Sequence, residues 1–548
     1  MHLSRSNLAK NSDKLFARDA TGLVRQVSPL NAALFSASSG PVGSVIVYSA
    51  IVGFAFFEKG DIVFGIILSV LFSLPVLYNY VVLTSSMPRS GGDYIYVSRV
   101  LSPTLGFASN FSVAIWQVVG WGAASVFISE LYLSPAASII GYVTSNNQFL
   151  SLGSFLVKSN IVFAVAVIGI VLAGLGVIKG LNFFTRVNSI VYVIGLFSLS
   201  LIYVILAGTS NPLFIRRFNA IMNTQLNSTD AYHHIISLAN ANGFSTSPAL
   251  SMLVPMMTVG SFGTGWFFWQ AYMGGEIKGA RSFKTQFYTM FGAAAINGLF
   301  FVTGIYLTIH TFGYQFLGAI SYLVLTNPSV LPFPEGVIAL LSGLASASPF
   351  WGILIAVTFV AWAWPLITIY IVMVVRAIFA WSFDRVLPMK LAEVNERFHA
   401  PVYATVVSCV GALIVAYFAT YTPYLIPLFI ITFPGTSLFS QLVSSVSAIR
   451  FPFKFRQLYS QSPDSKYRVI GLPLVTVTGI IATIYLVVVN SAYFLYPGFG
   501  LSISNAGFLL AIFVAVFVSG IAIYQVSKAV RKHQGFDLSL AFQEIPPE

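Results

Sequence analysis

Twelve stretches of this chain are each long and apolar enough to cross a bilayer, and that repetition constrains the fold more than any motif. A helix needs about 20 apolar residues to span the hydrocarbon core. Runs of that kind lie near 31–57, 61–86, 104–133, 160–178, 187–208, 250–272, 285–312, 350–381, 400–420, 422–448, 471–496 and 504–528. A helix satisfies its own backbone in lipid, whereas barrel strands would be about 10 residues of alternating character. The expected fold is all-α and membrane-embedded, with about 12 transmembrane helices. Composition agrees: 57% of residues are hydrophobic and 8% charged, against about 25% charged in a soluble domain.

The basic residues then fix an orientation. With the N-terminus inside, 24 of the 28 Lys and Arg fall on the inner side, and only Lys59, Lys158, Arg216 and Arg217 fall outside. Inner loops carry such an excess. A multi-pass cell-membrane protein with both termini cytoplasmic is expected. The net charge of +12 is then a topology signal and gives no reason to expect nucleic acid. The polar, basic first 28 residues lack the apolar core of a signal peptide. Cys409, alone, cannot form an internal disulfide and reads as helix packing.

Two external connections are long, about 209–249 and 313–349. The first carries the glycosylation-type triplet Asn227-Ser228-Thr229. The second, with Pro328, Pro332 and Pro334, is expected to cap the outer face.

Two spans are interrupted. The first contains Ser39-Gly40-Pro41-Val42-Gly43-Ser44, and the sixth contains Phe262-Gly263-Thr264-Gly265-Trp266. Proline removes a helix donor and clashes one turn back, and glycine weakens a helix. Broken backbone at membrane depth must face protein or water, so its freed N–H and C=O groups become ligands. Half-helix N-termini suit a carboxylate, and freed carbonyls suit an ammonium. An amino acid presents both. Alternatively, the glycines serve only close helix packing. The breaks lie five spans apart, which fits an inverted repeat and marks a transporter site. The organisation expected is a cytoplasmic tail (1–28), a first five-helix repeat (29–208), an external loop (209–249), a second repeat (250–448), a basic cytoplasmic loop (449–470), two further helices (471–528) and a cytoplasmic tail (529–548).

Three motifs on the expected cytoplasmic side carry a resemblance. Between the second and third spans stands Met87-Pro88-Arg89-Ser90-Gly91-Gly92-Asp93-Tyr94-Ile95-Tyr96, followed by Arg99. After the sixth stands Gly275-Glu276-Ile277-Lys278-Gly279-Ala280-Arg281, and after the eighth Arg376 leads to Asp384-Arg385-Val386-Leu387-Pro388. The chain resembles the amino acid–polyamine–organocation (APC) superfamily over roughly residues 28–450. That resemblance implies an amino acid permease with a LeuT-type fold, a five-plus-five inverted repeat with two added helices. There are departures. The family's Gly-Ser-Gly is Gly43-Ser44-Val45 here, Asn-Pro before Arg281 is Gly279-Ala280, and Arg385 replaces a Gly.

The expected substrate-binding residues are Ser39 to Ser44 and Phe262 to Trp266. The substrate carboxylate is expected at the N–H groups of Gly43 and Ser44, and its ammonium at carbonyls near Ser39, Gly40 and Phe262. Trp266 is expected to wall the side-chain pocket, and a side chain added at Gly43 to project into the cavity. Gly91-Gly92 is expected to form a tight turn with positive φ. Arg89, Arg99, Asp93, Tyr94, Glu276, Lys278, Asp384 and Arg385 are expected around an inward gate closed by ion pairs, or else the charges merely set topology. Glu130, near the outer end of the third span, and His310, near that of the seventh, read as interface residues or functional groups.

The function expected is secondary transport of an amino acid by alternating access, coupled to a proton or driven by exchange. A sodium-coupled symporter, or a polyamine or organic-cation transporter of the same fold, is the alternative. A channel or sensor is more distant. The eighth span's Thr358 and Thr368 are too far apart to share one sodium ion. No H-E-x-x-H or similar cluster suggests an enzyme, and no cofactor or metal is expected.

Overall fold

The computed structural model describes residues 22–57, 60–244, 252–333, 337–346, 348–422, 432–496, 499 and 503–543. Most of the N-terminal tail, Lys59 and Pro334 lie outside these. The described chain is helical apart from one hairpin, Arg468–Val469 paired with Leu472–Pro473.

Ten helices are long and apolar enough to cross a membrane: Pro29–Phe54, Ile62–Ser86, Pro103–Thr144, Ser159–Ile178, Leu181–Ala207, Phe283–Phe312, Pro349–Phe383, Val402–Tyr421, Leu474–Leu495 and Gly507–His533. Each coincides with an apolar run. The other two runs fall short for identifiable reasons. The sixth is a helix only over Leu253–Thr264, because it ends at Gly265. The tenth begins outside the described residues and continues as a π-helical turn, Pro434–Leu438, and the helix Phe439–Lys454.

The apolar side chains sort by environment. Phe64, Leu71, Phe197, Val204, Leu299 and Phe508 are exposed on the helix barrel, where lipid rather than water is the solvent. The inside is lined by small and polar residues, among them Ser36, Ser38, Asn188, Ser261, Asn297, Ser440 and Ser444, all at most 2% exposed. Small residues allow close helix approach, and hydroxyls and amides bond across helices.

The connections expected to be loops hold helices. The first external one folds as Asn211–Gln225 and Ala231–Ala241, and Asn227 of the triplet turns between them with φ 49. The second contains Tyr314–Thr326 and Val337–Ala345. Tyr232 stacks on Phe316 (ring centroids 4.3 Å apart), so the two connections pack on one another. Cys409 lies against Gly174, as a packing residue would.

Candidate substrate site

The first break falls at Gly40-Pro41. The helix Pro29–Ser39 ends on Gly40 (φ −102, ψ 77), and a new helix, Val42–Tyr48, starts after Pro41. No side chain caps that start. The Val45 N–H bonds back to Pro41 O (2.9 Å), so the N–H groups of Val42, Gly43 and Ser44 precede the first intrahelical bond. The helix runs on through a π-helical turn, Ser49–Phe54.

The second break follows Thr264. Gly265 N–H bonds to Ser261 O (2.9 Å), the chain then turns, and a 3₁₀ turn forms at Trp269–Tyr272. The breaks touch. A Cβ built on Gly40 would lie 3.1 Å from the Gly263 carbonyl and 2.7 Å from the Phe267 ring. Only a glycine permits that approach. Ser36 also donates to the Phe267 carbonyl. The space between Gly40, Val42, Gly263, Thr264 and Asn297 is too tight for a water molecule.

Several freed carbonyls already have donors, from residues the sequence reading missed. Asn297, on Phe283–Phe312, donates to Ala37 O (2.6 Å) and Gly40 O (2.8 Å). Its own amide oxygen accepts from the Tyr192 hydroxyl (2.5 Å). Gly265 O accepts from Ser437 and from Gln441 Nε2 (2.7 Å). Phe262 O accepts from the Trp266 indole (2.5 Å). A carbonyl has two lone pairs, and among the described residues Gly40 O and Phe262 O each have one donor. Ser39 turns its hydroxyl back to Phe35 O (2.8 Å).

Aromatic rings close the remaining sides. Phe262 stacks on Tyr48 (4.0 Å) and meets Phe433 (4.9 Å). Trp266, 2% exposed, lies against Trp269, Tyr370 and Phe433. The Ser44 hydroxyl bonds to the Tyr132 hydroxyl, and Tyr132 belongs to another π-helical turn, Ile128–Leu133. One expectation is corrected here. A Cβ on Gly43 would sit 2.5 Å from the Trp362 indole, so it meets a packed ring and not an open cavity. Trp362 lies in a 3₁₀ turn, Val360–Trp362, that places it over the break.

Gln117 is a further candidate. It is fully buried, and neither amide atom has a hydrogen-bond partner among the described residues. Three residues on, Gly120 faces the Tyr370 ring, so Gln117 shares the helix face turned toward Tyr370. A polar residue inside an apolar helix was its sequence signal, as it was for Asn297.

The residues expected around a gate gather on the basic side, though not all in ion pairs. Arg99 Nη2 meets Asp384 Oδ2 at 2.8 Å, both side chains 1% exposed. Glu276 pairs with Arg376, not with a loop cation, through Nε (2.7 Å) and Nη2 (2.9 Å). Asp93 is in no ion pair and accepts from four hydroxyls: Tyr80 and Tyr272 (2.6 Å each), Ser440 and Ser444. Lys278 is exposed and joins through its backbone N–H, to Val27 O (2.9 Å). Arg89 donates to Pro88 O (3.3 Å).

Gly91 and Gly92 have φ of 115 and 48, the turn the sequence required. Gly92 also lets the Tyr272 ring approach within 2.8 Å of where a Cβ would be. Arg385, where the family has glycine, keeps a left-handed φ of 62 and sets its guanidinium 4.1 Å from the Phe536 ring centre. Arg99 lies over the rings of Tyr94 and Phe542.

Glu130 is half-buried and His310 exposed, its ring against Tyr306. His233 pairs with Asp230 (2.7 Å). Among the described residues no group of three His, Cys, Asp or Glu gathers as metal ligands. No curated protein matches the chain. The sequence profile of a family described as "Amino acid permease" matches residues 30–522. That span contains both breaks and the paired charges below them, and the chain belongs to the amino acid permease family.

Proposed function

We propose that the protein carries an amino acid across the cell membrane by alternating access, with both termini cytoplasmic, driven by a proton gradient or by exchange. The observation that carries this reading is the meeting of two broken helices at Gly40 and Gly263, one presenting the uncapped first turn of Val42–Tyr48. The N–H groups of Gly43 and Ser44, aided by the Ser44 hydroxyl, take the carboxylate. The free lone pairs of Gly40 O and Phe262 O take the ammonium. These are partial charges of opposite sign, supplied by helix ends where no full charge is at hand. Trp266 and Tyr370 wall the side-chain pocket. The breaks are packed too tightly for water, so the half-helices must separate to admit a ligand.

The Thr368 hydroxyl donates to Asn188 Oδ1 (2.9 Å), and Asn188 in turn bonds Ser38 beside the first break. On the same span Thr358 turns its hydroxyl back to Leu354 O (2.6 Å), so the span brings no adjacent pair of hydroxyls to the break, which supports a cycle without sodium. Thermal-shift screening of purified protein against amino acids and polyamines tests the substrate class, and proteoliposome uptake tests the driving force. Stabilisation by at least one amino acid is expected, with uptake unchanged when choline replaces sodium. Stabilisation by polyamines alone, or uptake that needs a sodium gradient and ignores pH, overturns the reading.

A further inference from the structure

Asp93 is a buried carboxylate with no counter-ion among the described residues. It is 3% exposed and opens the helix that follows the turn made by Gly91 and Gly92. Each of its oxygens accepts two hydroxyls: Oδ1 from Tyr80 and Ser444, Oδ2 from Tyr272 and Ser440. Four donors fill the acceptor positions of an ionised carboxylate.

The charged groups on the surrounding elements are occupied elsewhere or exposed. Arg99, on its own helix Asp93–Val100, is bound to Asp384. Glu276, just past Tyr272, is bound to Arg376 of Ala363–Phe383. On Phe439–Lys454, Lys454 donates to Arg99 O (2.8 Å) and Arg450 is exposed. Ile62–Ser86 presents Tyr80, while its Tyr78 is bound to Asp464 (2.5 Å). Tyr96, the other titratable neighbour, bonds Thr84 (2.9 Å). Behind Tyr272 the chain of bonds continues through Asn110 (3.0 Å) to the Trp381 indole (3.0 Å).

The four donors come from three segments: the second span, the stretch after the sixth-span break, and the tenth span. The tenth-span donors form one stripe with the residues that hold the break. Ser437 and Gln441 bond the Gly265 carbonyl, while Ser440 and Ser444 bond Asp93. Positions three and four apart lie on one helix face, so a single face touches both the substrate break and the carboxylate.

Resting on the transport reading above, we propose that Asp93 is the proton-binding site of the cycle, linked to the substrate site through the Ser437–Ser444 face. A proton entering from the outer side with the substrate forms an O–H bond on the carboxylate. The neutral acid accepts fewer hydrogen bonds, and one hydroxyl must lose its bond or turn to accept. Charge-assisted bonds are about twice as strong as neutral ones, so protonation loosens the tie between the sixth-span stretch and the tenth span, and the inward gate opens. Release of that proton to the basic side restores it. Burial favours this chemistry by pushing the Asp93 carboxyl above its ordinary range, with the four hydroxyls opposing.

The experiment reconstitutes the full chain in proteoliposomes and measures two activities of one substrate: uptake driven by a pH gradient, and counterflow without a gradient. Asp93→Asn is expected to lose gradient-driven uptake at least tenfold while retaining counterflow. Because Asp93→Asn is open to misfolding, Ser440→Ala is measured beside it. Losing one donor to the anion is expected to move the midpoint of the pH–uptake profile upward by about one unit. Gradient-driven uptake that survives in Asp93→Asn, or an unmoved Ser440→Ala profile, overturns the assignment. Parent protein that counterflows but ignores a pH gradient also overturns it, while leaving the transporter reading intact. Absence of any amino acid transport by the parent sinks the transporter reading itself.

Discussion

At the scale of single residues, the site rests on a few polar contacts whose energies are open to measurement. Ser44 and Tyr132 share a hydrogen bond between the half-helix Val42–Tyr48 and the π-helical turn of the third span. If the Ser44 hydroxyl also meets the substrate carboxylate, its removal costs about 1.5–3 kcal/mol, roughly tenfold or more in affinity. Ser44→Ala is therefore predicted to weaken substrate binding by that amount in a scintillation proximity assay. Tyr132→Phe is predicted to weaken it less, and the double variant to match Ser44→Ala, because the two act through one bond. Additive losses would mean that Tyr132 contacts the ligand independently. Gln117 makes the opposite kind of prediction. Its amide is buried and unpaired, which costs about 1–3 kcal/mol when nothing binds it. Gln117→Leu is predicted to raise the unfolding temperature of the substrate-free protein while lowering affinity for its preferred amino acid. A variant that unfolds earlier would show that the amide has a structural partner.

At the scale of elements, the breaks were legible and their supports were not. Gly40-Pro41 and Gly263-Thr264-Gly265 announce discontinuity because proline and glycine act on their own backbone, and the helices end there. Asn297, Tyr132, Trp362 and Ser437 act across more than 80 residues of chain, and nothing local in the sequence says which break an inward-facing side chain will reach. The residues expected around a gate show the same division. The glycine turn followed from residue type, whereas the pairing of Glu276 with Arg376 needed the fold to bring together residues 100 apart. That pair also carries a prediction. Both side chains are fully buried, and breaking a buried pair by removing one partner costs about 3–5 kcal/mol, because the remaining charge is uncompensated. Glu276→Gln is predicted to lower the unfolding temperature in detergent markedly. Glu276→Met combined with Arg376→Leu is predicted to recover most of the loss, since apolar replacements leave no buried charge. No recovery would show that the pair does more than neutralise itself.

At the scale of the whole molecule, the apolar runs and the distribution of charge carry different information, and only the first is visible in the fold. Ten runs became helices long enough to cross a bilayer, which places the chain in the membrane without saying which side is which. Orientation rests on the 24-to-4 division of Lys and Arg, and an inverted molecule would pack identically. A single-cysteine labelling experiment separates the two orientations. Replacing Cys409 by Ala gives a cysteine-free parent, at the modest cost of a small apolar packing residue. Ser237→Cys then reports on the helix Ala231–Ala241 of the first long connection, and Ser460→Cys on the basic stretch after the tenth span. Both serines are exposed, so neither label needs the fold to open. With the termini inside, a membrane-impermeant maleimide added to intact cells is predicted to modify Ser237→Cys at once and Ser460→Cys only after the membrane is permeabilised. The reverse pattern would invert the molecule. It would also put Asp93, Arg99, Glu276 and Asp384 on the outer face, where a gate built from them would open outward.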